Sequence, residues 1–183
     1  MDHLEESTAA SEPVPSLVAA ARRGDRAALD RLCRRFAPVV HGILLGYVQK
    51  ADADDLAQDV FETALARLGD LREDAAFPGW IVAIARRAAL SAQRRAAPLT
   101  GLCWDDIPGF ADPEQQLEAQ KALAAIRGLP PAYREPLVLR LVQGMSGQEI
   151  AELTGLTPGS VRVNLHRGMA QLRAALADNR EGP

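Results

Sequence analysis

The sequence predicts an all-α protein made of two small helical domains joined by a flexible linker. Three observations carry that expectation. Apolar residues recur at helical spacing along most of the 183-residue chain, and runs of period-two alternation are absent. Aromatic residues are only 4% against 48% apolar, so the cores rest on aliphatic side chains, a composition that favours helices over sheets. The periodicity then stops over 98–111, where Pro98, Gly101, Pro108 and Gly109 stand among the acids Asp105 and Asp106, as in a linker. The expected division is a disordered N-terminus over 1–14, a helical domain over 15–97, the linker over 98–111 and a second helical domain over 112–178.

The N-terminal stretch MDHLEESTAASEPVPS is acidic and polar, without periodicity and without the apolar run of a signal peptide or anchor. Beyond it, Asp25 follows the Gly24 break and can cap a helix whose face is Leu29, Leu32, Cys33 and Phe36. Val39, Val40, Ile43, Leu44 and Tyr47 form a second apolar face. A third helix carries Leu56, Val60, Phe61, Ala64, Leu65 and Leu68 behind an Asp-rich first turn, which suits the positive end of the helix dipole. Pro78 marks the start of the next helix, with Trp80, Ile81, Ile84, Ala85 and Ala88 facing inward. After the linker, Asp112-Pro113-Glu114-Gln115 reads as a cap, an N1 proline and an N3 glutamine that open the second domain.

The formal net charge of −3 argues weakly against nucleic acid, but the charges are segregated. Arg86, Arg87, Arg94 and Arg95 lie in a stretch without acids, and Arg162, His166, Arg167 and Arg173 form a second basic stretch. A local basic face matters more for DNA than the total. Cys33 and Cys103 form no CxxC pair, which leaves a disulfide framework or Cys-rich zinc site unsupported and suggests idle thiols in a reducing cytoplasm. No apolar run approaches the roughly 20 residues of a membrane span. There is no GxxxxGK, HExxH or GxSxG, and His3, His41 and His166 lack metal-ligand spacing, so no catalytic residue, metal or cofactor is expected.

The sharper of two functional constellations lies near the C-terminus. Ser146-Gly147-Gln148-Glu149 is a capping box ahead of a short helix with Ile150, Ala151 and Leu153. Gly155 ends that helix, Leu156 can pack in the turn, and Thr157-Pro158 starts a longer helix with Val161, Leu165, Met169, Leu172 and Leu176 on one face. This is helix-turn-helix spacing, in which the second helix enters the major groove by its N-terminal part. At about 100° per residue, Val163, His166 and Arg167 point outward with Ser160 and Arg162 beside them, able to reach phosphates or base edges. A helical hairpin with a solvated charged face would give the same pattern.

The other constellation is an acidic helix, Asp52–Leu68, followed by Phe77–Arg95. Phe77 and Trp80 beside arginines can stack the bases of melted DNA and hold its phosphates. The bland alternative makes Trp80 core and the arginines surface solvation.

Taken together and in order, these segments resemble the extracytoplasmic-function (group 4) sigma factors of bacterial RNA polymerase. DADDLAQDVFETAL at Asp52–Leu65 is similar to region 2.2, FPGWIVAIARRAALSAQRR at Phe77–Arg95 to region 2.4, and Gly24-Asp25 with Ala28 and Leu32 to region 2.1. LPPAYREPLVLR at Leu129–Arg140 and GMSGQEIAELTGLTPGSVRVNLHRGMAQL at Gly144–Leu172 are similar to region 4. The resemblance implies a sigma region 2 and a sigma region 4 without the domain that larger sigma factors place between them. It implies that Asp55, Gln58, Asp59 and Glu62 face core RNA polymerase. Phe77, Trp80, Arg86, Arg87, Arg94 and Arg95 would serve the −10 element, and Ser160, Arg162, Val163, His166 and Arg167 the −35 element. The chain departs from the family's usual residues at Arg87, Ser91, Val163 and Asn164, which leaves the promoter sequence open. Implied partners are core polymerase, promoter DNA and an anti-sigma factor, which in this family is often membrane-bound. The expected location is the cytoplasm. A stand-alone helix-turn-helix regulator and a polymerase-binding adaptor that does not touch DNA are the alternatives.

Overall fold

The computed structural model describes residues 12–95 and 113–178, so the expected linker, Cys103, Asp112 and nearly all of the expected N-terminal disorder lie outside the described residues. Those residues form α1 (Val14–Arg22), α2 (Arg26–Leu45), α3 (Lys50–Ala66), α4 (Phe77–Arg95), α5 (Pro113–Arg127), α6 (Pro131–Leu141), α7 (Gly147–Thr154) and α8 (Pro158–Asp178), with short 3-10 turns at Leu68–Asp70 and Asp74–Ala76. There is no strand among them.

Local chemistry explains most of the helix ends. Gly24 takes φ of 92°, which turns the chain so that the Asp25 carboxylate accepts the N–H groups of Ala27 and Ala28 at 2.9 and 3.1 Å. A cap of this kind stabilises a helix by about 1 kcal/mol. The apolar faces expected on either side of Pro38 belong to one helix and not two. Proline removes the N–H that would bond the carbonyl four residues earlier, but Pro38 lies on the exposed side of α2, where water can take that place. Along the inner side of α2, Leu32, Phe36, Val39, Val40 and Ile43 are buried. Phe36 meets Phe77 of α4 edge to face at 5.0 Å, and α1, α3 and α4 all pack on α2. Leu65, expected to face inward, is 40% exposed because Ala64 takes the inward position of that turn.

In the C-terminal half the capping box is complete. The Ser146 hydroxyl accepts the Glu149 N–H at 3.2 Å, and the Glu149 carboxylate accepts the Ser146 N–H at 2.7 Å. The Ser146 N–H, and after it the Ser146 hydroxyl, hold the Glu149 carboxyl below its ordinary pKa. Gly155 closes α7 with φ of 73°, and Thr157 accepts the Ser160 N–H at 3.1 Å as α8 begins. The corner is filled by Ile150, Ala151, Thr154 and Val161, while Leu156 stays 39% exposed and does not pack in the turn as expected. Gly168 lets α8 approach α6 closely, since a Cβ there would stand 2.9 Å from a Leu137 methyl.

The two halves are also packed on each other: α6 lies against α2, and α7 lies against α4 and α2. At Gly42 of α2 a Cβ would fall 2.6 Å from a Leu139 methyl of α6. A residue larger than glycine there would force the Leu139 side chain, or α6 with it, to shift.

Candidate nucleic-acid interface

The helix-turn-helix is built by the caps already described, and they set the orientation of α8. Val161 is fully buried, which anchors the first turn of the helix. Ser160, Arg162, Val163, His166 and Arg167 are all exposed, Val163 to 43%. The Ser160 hydroxyl lies 2.8 Å from that of Thr157, so it is already engaged in the cap. Two arginines, a histidine and a bare valine side chain then share the outward surface, a set that can bond guanine or phosphate and contact a thymine methyl.

On α3, Asp55, Gln58, Asp59 and Glu62 are exposed while Ala53, Val60 and Ala64 are buried. Gln58 donates to Glu62 at 2.9 Å, one turn on, so the face is polar, acidic and free of packing against the rest of the described chain.

The α4 segment divides more sharply than its sequence suggests. Phe77 is only 4% exposed, wedged between Phe36 and Trp80. It is a core residue, and the expectation that it meets a base directly fails on its burial. What Phe77 does is brace Trp80, whose ring centroid lies 5.9 Å away. Trp80 is partly exposed and lines an open cleft of about 650 Å³ with Asp70, Leu71, Arg72, Glu73, Ala76 and Gly79. A braced aromatic at the edge of a cleft suits an unstacked base. Arg87, Arg94 and Arg95 are exposed.

Arg86 is different. Its Nε and Nη2 donate to Glu135 Oε1 and Oε2 at 2.8 and 2.7 Å, a bidentate pair across the seam between the halves. In this conformation the Nε and Nη2 side of Arg86 is engaged, while its side chain stays 42% exposed. Tyr47 donates its hydroxyl to the same carboxylate at 2.9 Å. Burial and the neighbouring Glu135 charge push the Tyr47 phenol up to about 12, while Glu135 holds Arg86 above its ordinary value. Arg134 stacks over the Tyr47 ring at 4.5 Å and donates to the Leu129 carbonyl. Arg127 donates to the Leu45 carbonyl at 3.1 Å, supplying a cationic donor at the C-terminus of α2. His41 of α2 adds contacts on both sides, with Nε2 2.9 Å from Asp54 and Nδ1 3.4 Å from Gln143, just past the end of α6.

Sequence reasoning places Tyr47 on an apolar face without its hydroxyl partner and does not single out Arg134, Glu135, Gly42 or Gly46, although signals existed. Gly42 and Gly46 are four apart in an apolar helix, and Glu135 is four residues before Leu139 on the face that buries Leu139. Cys33 is partly buried, with its thiol raised by burial and by Asp30. Among the described residues no group of His, Cys, Asp and Glu could hold a metal ion, and no helix is long and apolar enough to cross a membrane.

Comparison with known proteins bears on both halves. Residues 32–98 match the family model Sigma-70 region 2, and residues 119–172 match Sigma-70, region 4. The chain is 32% identical over 163 residues to RNA polymerase sigma factor CarQ of Myxococcus xanthus, covering 86% of this chain and 94% of that one. It is 33% identical over 162 residues to the ECF RNA polymerase sigma factor SigM of Mycobacterium tuberculosis, covering 87% and 83%. Among solved structures, CnrH in complex with the cytosolic domain of CnrY superposes with a TM-score of 0.61 at 25% identity, over 90% of this chain and 97% of that one. The sigma factor RpoE in complex with the anti-sigma factor NepR from Bartonella quintana shares the fold, with a TM-score of 0.50 at 21% identity over 81% and 94%.

The seam makes a titration prediction. The charged groups facing Tyr47 are Glu135, Arg134 and Arg86, and the folded phenol is raised from 10 to about 12. The stabilisation from its hydroxyl is therefore fully present below pH 10 and is lost as pH rises through about 12. In a Tyr133→Phe chain, where Tyr47 is the remaining tyrosine, phenolate absorbance should appear with a midpoint near 12. A midpoint near the ordinary 10 would mean that the hydroxyl is open to water.

Proposed function

The chain belongs to the sigma-70 family of RNA polymerase sigma factors, in its extracytoplasmic-function class, and on that premise we propose how its surfaces are used. It is an alternative sigma factor and not a stand-alone regulator. We place it in group 4, with region 2 over 15–97, a connecting linker over 98–111 and region 4 over 112–178. The observation that carries the reading is that one chain presents an acidic face on α3 and a basic, helix-turn-helix face on α8, both exposed.

The acidic face of Asp55, Gln58, Asp59 and Glu62 docks on core RNA polymerase. Trp80, backed by Phe77, receives an unstacked base of the −10 element in the adjoining cleft. Extruding that base costs a few kcal/mol, which a fitted aromatic site must offset. Arg86, once released from Glu135, joins Arg87, Arg94 and Arg95 on the backbone. Ser160, Arg162, Val163, His166 and Arg167 read the −35 element. The protein itself carries out no bond chemistry: it selects and melts the promoter for the polymerase, in the cytoplasm. An anti-sigma factor is the proposed regulator, by analogy with the partner bound to RpoE, and a membrane-anchored partner of that kind is compatible with the cytosolic domain bound to CnrH.

Reversing charge on α3 should separate docking from folding. Asp55→Arg with Gln58→Ala should lower core-polymerase affinity by at least about tenfold in a competition assay, with helicity unchanged, because like charge across an interface costs on the order of 1.4 kcal/mol or more. Unchanged affinity would remove α3 from the docking surface. On α8, Arg162→Ala and Arg167→Ala should each weaken transcription from a promoter library. A phosphate ligand weakens all sequences alike, whereas a base reader costs about 1–3 kcal/mol and relaxes one position. No effect from either change would mean that another face of region 4 meets DNA.

A further inference from the structure

One wall of the Trp80 cleft is a loop, and that loop is gripped from outside. Asp70, Leu71, Arg72 and Glu73 line the cleft as one continuous segment. The residues at either end of the segment, Gly69 and Asp74, meet a single side chain. Arg22 Nη1 donates to the Asp74 carboxylate at 3.0 Å, and Arg22 Nη2 donates to the Gly69 carbonyl at 3.4 Å. Neither Arg22 nor Asp74 lines the cleft. Arg22 stands in the last turn of α1, which is anchored by the complete burial of Leu17 and Val18 and packs on the Asp74–Ala76 turn. It also precedes residue 32, where the match to Sigma-70 region 2 begins.

Inside the loop, Leu71 is buried and Arg67 pairs with Asp70 at 3.2 Å. Arg72 and Glu73 are exposed, and Asp74 next to them is held by Arg22. Arg72 brings hydrogen-bond donors to the cleft and Glu73 brings acceptors, the groups that tell one base edge from another. How well the cleft discriminates then depends on how firmly the loop holds those two side chains.

We infer that Arg22 is a positioning residue for base selection at the −10 element: by clamping both ends of the 69–74 loop it fixes one wall of the Trp80 cleft without lining it. The inference rests on the proposed reading of that cleft as the seat of an extruded base. The Arg22 and Asp74 side chains are 35% and 27% exposed, and a partly solvated pair of this kind shifts an equilibrium by about two- to fivefold. The clamp therefore tunes selectivity and leaves the fold in place.

The test compares full-length Arg22→Ala, Asp74→Ala, their double variant and Trp80→Ala with the parent. Limited trypsin digestion reports on the loop, because Arg72 lies between the clamped ends and cleavage there follows the population of open loop. Transcription by core enzyme from a library randomised over the −10 element reports base choice. Arg22→Ala should speed cleavage after Arg72 by about two- to fivefold and flatten base preference by a similar factor, at the −10 position that Trp80→Ala also affects. Helicity and core-polymerase affinity should not change. The double variant should match Arg22→Ala, because Asp74 acts through the same clamp. Should Arg22→Ala lose its helical circular dichroism, Asp74→Ala, which frees one end of the loop, carries the test. Unchanged cleavage would overturn the inference, as would faster cleavage with base preference intact or a loss spread evenly over all sequences. A position shifted by Trp80→Ala but untouched by Arg22→Ala would overturn the inference alone. If Trp80→Ala shifts no position, the base-capture reading itself falls, and the inference with it.

Discussion

Glu135 brings an ionisable carboxylate into the contact between two helical halves, and the surrounding side chains are arranged to make that tolerable. A lone buried carboxylate would cost several kcal/mol, and a buried ion pair only about breaks even against its own desolvation. Arg86 and Tyr47 therefore add little net stability to the closed seam. The holding energy comes from apolar burial, where a side chain such as Leu139 contributes about 1.5–3 kcal/mol. What the ion pair supplies is register across the seam.

This constraint shapes the proposed work of the chain. Each half offers few phosphate contacts, so the salt-dependent affinity of either alone is modest. In the seated arrangement Arg86 is engaged and the helix-turn-helix corner stands at the rim of the Trp80 cleft. Docking on polymerase would hold both halves at the promoter spacing, and joining two weak sites in this way can raise avidity by about 10²–10⁴ without a new contact. A net charge of −3, unpromising for a DNA-binding protein, then has a use, because it discourages nonspecific binding before docking.

Most of the local architecture could be read from the sequence because its causes are local. The Asp25 cap, the Ser146 and Glu149 box, the Gly155 turn and the start of α8 at Pro158 each depend on residues within a few positions. The outward face of α8 followed from the buried positions of one helix. The seam was not legible, because Tyr47 and Glu135 are 88 residues apart and Arg86 and Glu135 are 49 apart, with no periodicity linking them. Phe77 reads in sequence as a base-stacking residue because aromatic character alone does not separate a ring that touches a base from one that supports it. The two apolar faces before and after Pro38 fall on one helix because a proline is tolerated on the exposed side of a helix, and that side is set by tertiary packing.

The central claim is that each half alone binds promoter DNA weakly and that polymerase, by holding both halves at the promoter, joins them into one tight site. It is tested most directly by the affinity of the unmodified protein for a cognate promoter at near-physiological salt, with and without core RNA polymerase. The account predicts weak, poorly selective binding by the free chain and tight, sequence-specific binding once core enzyme is added. Tight and specific binding by the free chain alone would contradict it.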